Sequence, residues 1–517
     1  MSSSFQYRNK LPTLQSACEE EGNFLLRVEH QRAAENWTRQ LWDQRGSIVD
    51  LITEQLSLSK DDACKVLLPQ YWPEGKFNVC VLVEVTRQDT TTEKFVFRCP
   101  MRHMHAEDQY PGTIDEKMSC EAASYVWMQE NCAEIRIPHL YAFGFADGGH
   151  FTHTKHMPFY QRIYHNFRRW IYRSLGLPLL SNYIRNLSAP DVGTAYSILE
   201  YIGPDMGQML SITWERHKDD AARQSRLYRG LAHIMLSLAR IPQPSIGAYR
   251  FDTVNSTITL TNRPLTCSAM VMENSGTPRS IQPRQTYQSV ESFTSDMLTM
   301  YDEHLLHHPH AVQDEDDARE RFTIRMLHRA VSHHFIRRCW RNGPFLLQPT
   351  DLHQSNIFVD DAWNVTGMID LEWMCSLPVD MLSVPHWLTD CNVFDITNEE
   401  YDRFDRAREQ FLTAMDKEAE TMMMEHDIPI TQNMRDTWLS KGAWFWACIS
   451  SLDGWLWIFE DHILTKFSTD KKLVASLKQA SALWQQDVES VIKRKVEDGE
   501  EYRGKLEALL SSLLRSQ

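Results

Sequence analysis

Residues 348–373 read QPTDLHQSNIFVDDAWNVTGMIDLEW, and the reading of this stretch decides the fold. It opens with D-x-x-x-x-N, running from Asp351 to Asn356. An apolar run follows, broken by a polar turn at Asp360, Asp361 and Ala362, which predicts a β-hairpin. The second strand delivers Ile-Asp-Leu-Glu, with Asp370 as the acid. Two carboxylates and an amide in this order suit phosphoryl transfer, where catalysis is mostly positioning and charge neutralisation. One carboxylate, Asp351, would orient an acceptor hydroxyl and take its proton. The amide oxygen of Asn356 and the carboxylate of Asp370 would hold Mg²⁺, a cation that prefers hard oxygen ligands. The hairpin would fold these two ligands back towards each other. Alone, Asp351 is more often a helix cap, and Glu372, which could touch metal or substrate, reads at least as well as a structural salt bridge; the chemistry rests on the set.

Working outward towards the amino terminus, SILEYIG (197–203) is a short buried strand ending at Gly203. Upstream, FNVCVLVEV (77–85) and TTTEKFVFRCP (90–100) are β-branched and aromatic runs around a polar turn, predicting an antiparallel hairpin. CEAASYVWMQENC (120–132) predicts a helix, and IRIPHLYAFGFADGG (135–149) a further strand pair. In the strand KFVFRCP, alternation puts Val96 and Arg98 on one face. Glu121, opening its helix, is the natural partner of Arg98, although a surface pair is the bland alternative. Lys94, on the same strand face, is in reserve. Residues 19–56 and on to about Tyr71 read as helical from their three- and four-residue apolar spacing.

The set D-x-x-x-x-N … I-D-x-E, with SILEYIGPDMGQML (197–210) and RLYRGLAHIMLSLARIPQPSIGAYRF (226–251), resembles the aminoglycoside phosphotransferase and choline kinase-like family, fungal-type members in particular. The resemblance spans roughly Phe77 to Leu388. It implies an α+β, two-lobed protein-kinase-like fold: a small β-rich amino-terminal lobe, a larger and mostly helical carboxy-terminal lobe, and helical terminal extensions. It also implies ATP or another nucleoside triphosphate as donor, Mg²⁺, and a small-molecule acceptor whose identity the sequence does not give. On that likeness Asp351 is the catalytic base, Asn356 and Asp370 bind metal, Arg98 with Glu121 steadies the phosphates, Val96 lies over the adenine, and Glu200, Tyr201 and Ile202 form the hinge whose backbone meets the adenine edge. The chain departs from the pattern in three ways. Arg98 stands where a Lys is usual, no G-x-G-x-x-G follows Gly75, and Pro349 and Thr350 replace His and Gly before Asp351. These departures keep a second reading open, a catalytically weak or inactive pseudokinase serving as a nucleotide- or partner-binding scaffold. A third reading, an all-helical interaction protein, must explain away two hairpins and the order of the metal ligands. The domain organisation expected is a helical extension over 1–73, a small lobe over 74–202 with an insertion at about 150–190, a large lobe over 203–480, and a helical tail over 481–517.

Bulk properties exclude several classes. At 517 residues the chain exceeds what one core usually supports. A net charge of -15 argues against a nucleic-acid surface. The eleven cysteines show no C-x-x-C pair, so reduced thiols and a cytoplasmic setting are expected. MSSSFQYRNK lacks the apolar core of a secretory signal, and the apolar run 443–459 is broken by Ser450, Ser451 and Asp453, so no transmembrane span is expected. His304, His307, His308 and His310 have helical spacing without a carboxylate or Cys pattern for zinc. There is no H-E-x-x-H, G-x-S-x-G or P-loop motif. One stretch stands out: HMPFYQRIYHNFRRWIYRSLGLPLL (156–180) carries Arg162, Arg168, Arg169 and Arg173 among aromatics. The expectation is that the aromatics pack on the small lobe and the arginines face water. A weak membrane-surface or partner contact through 157–175 is the alternative.

Overall fold

A computed structural model describes residues 12–73, 75–470 and 472–515. Three helices come first: α1 (Leu14–Glu19), α2 (Phe24–Asp43) and α3 (Arg45–Gln55). Asn23 starts α2 by accepting a hydrogen bond from the Leu26 N–H at 3.1 Å, which satisfies one of the helix's unpaired amides. The helical run does not reach Tyr71 as expected. Ser57 turns into the left-handed region, at φ 50°, and Ala63–Val66 becomes strand β1. A four-residue edge strand carries little local signal; the open edge of its neighbour, β2, makes it a strand.

The hairpin expected at 77–100 forms as β2 (Asn78–Thr86) and β3 (Thr92–Pro100), paired in register from Asn78↔Pro100 to Thr86↔Thr92. Next come α4 (Thr113–Asn131), β4 (Leu140–Gly144), β5 (His150–His153), α5 (Phe159–Ser174), β6 (Leu179–Leu180), β7 (Tyr183–Arg185) and β8 (Tyr196–Glu200). Seven strands make one sheet in the order β1-β2-β3-β8-β4-β5-β7, antiparallel throughout. Period-two alternation sends Val79, Val81, Val83 and Val85 of β2 to one face, where they pack with Leu41, Ile48, Leu51 and Ile52 of α2 and α3. Thus the amino-terminal helices roof one face of the sheet, while α4 lies in the core beyond the other. That helix starts at Thr113, earlier than expected, so Glu121 sits in its middle and does not open it.

Beyond the sheet, β9 (Gln208–Met209), α6 (Leu210–His217) and α7 (Ala221–Ala239) lead to a hairpin, β10 (Ala248–Asp252) and β11 (Thr257–Asn262), completed by β6. The dominant helical pattern after Gly203 predicts helix here, although TITLTN alternates as a strand should. The sequence reads as loop over Thr277–Pro283 and Val312–Asp316; the first is loop, whereas a helix begins at Glu315 inside the second. The decisive segment folds as β12 (Leu346–Pro349), β13 (Ile357–Val359), β14 (Val365–Met368) and β15 (Met374–Leu377). Asp360 closes the β13–β14 turn by accepting from the N–H groups of Ala362 and Asn364. The helix Asn398–Ala419 packs on α7, Phe411 meeting Tyr228 edge-on. One core runs unbroken from Phe77 and α4 through α7 to Leu464.

The long helix Val488–Arg515 returns to the start of the chain: Tyr502 and Leu506 pack with Ala17 and Phe24, and the Tyr502 hydroxyl accepts from the Phe24 N–H at 2.9 Å. Among the described residues no helix is long and apolar enough to cross a membrane. All eleven cysteines are free thiols.

The expectation for α5 is overturned. Its aromatics do not pack on the sheet: Tyr160, Tyr164, Phe167 and Trp170 are all more than half exposed, at 70, 65, 56 and 63%. Polar groups hold the helix down instead. His165 Nε2 bonds the Ser181 carbonyl at 2.7 Å, Arg169 Nε donates to the Leu180 carbonyl at 3.0 Å, and Arg169 and Arg173 pair with Glu130. Periodicity locates an apolar stripe on a helix but not the side that meets the protein.

Candidate active site

The site begins where β12 leaves β15. Thr350 donates both its N–H and its hydroxyl to the Trp373 carbonyl, each at 2.9 Å, which fixes the chain just before Asp351. After a short turn, Asn356 donates its side-chain N–H to the Asp351 carbonyl at 2.9 Å. That bond cinches the loop and leaves the Asn356 amide oxygen for other work. The β13–β14 hairpin then returns the chain, and the Ile369 N–H donates to the Asn356 carbonyl at 2.9 Å. Asp370 follows in the left-handed region at φ 66°, a conformation Asp tolerates better than most side chains. Asp351, Asn356 and Asp370 consequently line one concavity of about 220 Å³ with Pro349, Leu352 and Trp373.

Behind it lies a buried ionic cluster. Arg98 of β3 pairs with Glu121 of α4, reaches Asp370 at 2.9 Å and Glu372 at 3.3 Å. Lys117, one helical turn before Glu121, bonds Glu121 at 2.8 Å and Asn78 at 3.0 Å and pairs with Glu372. Asn78 in turn donates to Glu372 at 3.0 Å. Burial opposes the charge on both Arg98 and Lys117, but the surrounding carboxylates outweigh it and hold both cations protonated. Burial likewise works against Glu372, yet Lys117 and Arg98 hold its carboxyl well below the usual range. Asp370 goes the other way: burial pushes it up, Arg98 opposes, and Glu372 and Glu121 add repulsion. Two cations face three carboxylates, so the charges do not balance, and the excess falls on Asp370 at the open edge, which shares Arg98 with Glu121 and Glu372 and is pushed up to about 7. Asp351 is also pushed up by burial, against the pull of His353, whose Nε2 lies 3.9 Å from its carboxylate.

A second concavity, about 200 Å³, shares Met368 and Ile369 with the first and is lined by Arg136, Ile202, Met206, Phe358, Thr366 and Gly367. Gly207, at φ 114°, brings β9 against β13 so closely that a Cβ there would sit 2.5 Å from the Val359 carbonyl oxygen. Val96 is half-buried opposite Leu199 and Leu82. The Glu200 N–H already donates to the His139 carbonyl at 2.9 Å, and its carboxylate pairs with Arg136 and accepts from the His139 N–H. Only Tyr201 and Ile202 are left with hinge backbone beyond the strand. Lys94 lies over the Tyr201 ring, 5.7 Å from its centroid, away from the ionic cluster.

Sequence reasoning passed over Lys117, Asn78, Arg136 and His353. Lys117 stands four residues before Glu121, a spacing that would have exposed it had the start of the helix been read correctly. His353 sits inside the D-x-x-x-x-N motif itself. The histidines at 304–310 form no metal site; among the described residues no three His, Cys, Asp or Glu side chains are grouped to hold a metal.

No protein-family model and no curated protein matches the chain. Among solved structures the chain is similar to a macrolide 2'-phosphotransferase type I, at 10% identity and a TM-score of 0.30, covering 84% of this chain and 95% of that one. A likeness at that level carries no argument about what the chain does; the geometry of the site has to carry it.

Proposed function

We propose that the chain is a small-molecule phosphotransferase of kinase-like, two-lobed architecture, using ATP or another nucleoside triphosphate and Mg²⁺. The observation that carries this is the charge imbalance at the open edge of the cluster: Asp370, which shares Arg98 with Glu121 and Glu372, lines with Asn356 the concavity that also holds Asp351. A site of one carboxylate and one amide oxygen fits Mg²⁺, which is usually held by one or two protein oxygens together with phosphate. Bound there, the metal would supply neutralisation of phosphate charge.

The chain's own residues would do the rest. Asp351 would accept the proton of the acceptor hydroxyl, and burial makes its carboxylate a stronger base than a solvated one. Arg98, held by Glu121, would present its guanidinium towards the phosphates. The apolar lining of the second concavity, Ile202, Phe358 and Met368, suits the faces of a nucleobase, with Tyr201 and Ile202 supplying backbone groups to its edge.

The test is calorimetric titration of the full chain with ATP, with and without Mg²⁺. We expect Mg²⁺-dependent binding in the wild type, its loss in Asp370→Asn, and its retention in Asp351→Asn. Wild-type binding that ignores Mg²⁺, or survives Asp370→Asn unchanged, would refute the assignment. The second reading, a scaffold without turnover, is favoured by one observation: Arg98 already occupies the Asp370 oxygen that metal would need. Absence of nucleotide binding under every condition would select it.

A further inference from the structure

The helix α5 is built inside out. In other long helices of the chain the apolar side is buried; Asn398–Ala419, for example, hides Phe404, Phe411, Leu412 and Met415. In α5 the one buried residue is His165. Its protein-facing side is polar, fastened through His165 to Ser181 and through Arg169 to Leu180, Asn182 and Glu130. The other side presents Tyr160, Ile163, Tyr164, Phe167 and Trp170 to solvent at three- and four-residue spacing, with Phe167 and Trp170 stacked at 5.9 Å. Leu175 and Leu177 extend the same ridge, at 68 and 46% exposure. A patch of this extent on a soluble surface marks an interaction site.

Charge selects the partner. Between Asp147 and Asp191 there is no acidic residue, while Lys155, Arg162, Arg168, Arg169, Arg173 and Arg185 are basic, in a chain of net charge -15. Glu130 neutralises the pair Arg169 and Arg173 from below. Lys155, Arg162 and Arg185 are exposed, and Arg168 is half-buried beside Tyr172. Helical geometry sets Arg168 on the flank of the aromatic ridge, beyond Tyr164, where a long side chain reaches up past an apolar boundary, while Arg162, exposed in the first turn, lies on the side of Arg169. Trp, Tyr and Phe on the ridge with Arg beside it is the composition of a helix lying in the plane of a lipid interface. The shape agrees, because a single convex helix offers no groove to a peptide.

We infer that α5 is an interfacial helix that docks the protein on an anionic lipid surface, with the aromatic ridge in the headgroup–acyl boundary and Arg168 at the phosphates. This inference is independent of the phosphotransferase reading.

The experiment is co-sedimentation of the full chain with vesicles of phosphatidylcholine alone or mixed with phosphatidylserine, at low and high salt. Expected is binding to the mixed vesicles at low salt and little to phosphatidylcholine alone. The double substitution Phe167→Ser and Trp170→Ser should abolish it, and Arg168→Gln should weaken it about fivefold, from the attraction of a basic group to an anionic surface. These side chains are exposed or flanking, so circular dichroism and thermal melts should match wild type and exclude misfolding. No binding to mixed vesicles at low salt, or binding indifferent to both variants, overturns the proposal. So does a wild-type dimer in sedimentation velocity that the ridge variant converts to monomer, since the ridge would then be a contact between two copies of the chain.

Discussion

The helices α4 and α5 solve opposite problems with similar residues. Each mixes charged and aromatic side chains, but α4 buries Glu116, Lys117 and Glu121 together with Tyr125 and Trp127. In α5 the aromatics are on the outside and the polar groups turn in. In α4 every buried charge has a partner: Glu116 takes Arg263, and Lys117 and Glu121 share a network with Arg98 and Glu372. A buried ion is tolerated only when its partner travels with it, whereas an exposed aromatic costs the monomer little. The difference is therefore one of dependence. The first helix needs its neighbours to remain folded, and the second needs its neighbours only as a mount.

The largest expected effect breaks the first half of that contrast. Lys117→Met leaves Glu121 and Glu372 with Arg98 as the one cation of the cluster, and should cost about 3–5 kcal/mol in urea unfolding. A loss under about 1 kcal/mol would mean the pairing is ornamental. Next comes pH. Burial pushes His105, beside the cluster, and His304 down to about 4. The unfolded chain takes up these protons near about pH 6.5, the folded one only near 4. Stability should thus be complete above neutrality and fall as pH drops from about 6.5 towards 4, by roughly 3 kcal/mol for each such histidine. Melting temperatures at neutral pH and at mild acidity test it, and equal values would contradict these burials. The smaller effects belong to α5. Arg169→Ala removes the inward anchor and should cost about 2 kcal/mol, while Trp170→Ser should leave unfolding within about 0.5 kcal/mol of wild type. A Trp170→Ser loss as large as that of Arg169→Ala would show that the ridge packs against the protein after all.

Much of this architecture is legible in the sequence. The 77–100 hairpin and the 357–368 hairpin announce themselves by alternation and by polar turns, because their partners are adjacent in the chain. The strand β1 is not legible, since its partner β2 lies across the Leu67–Phe77 connection and its own four residues say little. The hairpin β10–β11 escapes for a different reason: its alternating TITLTN follows a long helix whose pattern is easily carried too far. Among the site residues, the motif order brings Asp351, Asn356 and Asp370 under suspicion, and all three line one concavity. Lys117 escapes because a helix read from Cys120 leaves it outside the element and hides its four-residue spacing to Glu121. The direction of α5 escapes too, because a stripe of aromatics fixes a face and not what that face meets.

The bond between the Phe24 amide and the Tyr502 hydroxyl joins positions 478 residues apart. A contact of that span is among the last a chain can make, since the intervening loop must close before it is rewarded. During synthesis α1 and α2 emerge early yet cannot seat on Val488–Arg515 until that helix has left the ribosome. Packing of Phe24 and its neighbours on this helix must wait until the chain between them has been made, and their apolar side is until then a natural client surface for a holding chaperone.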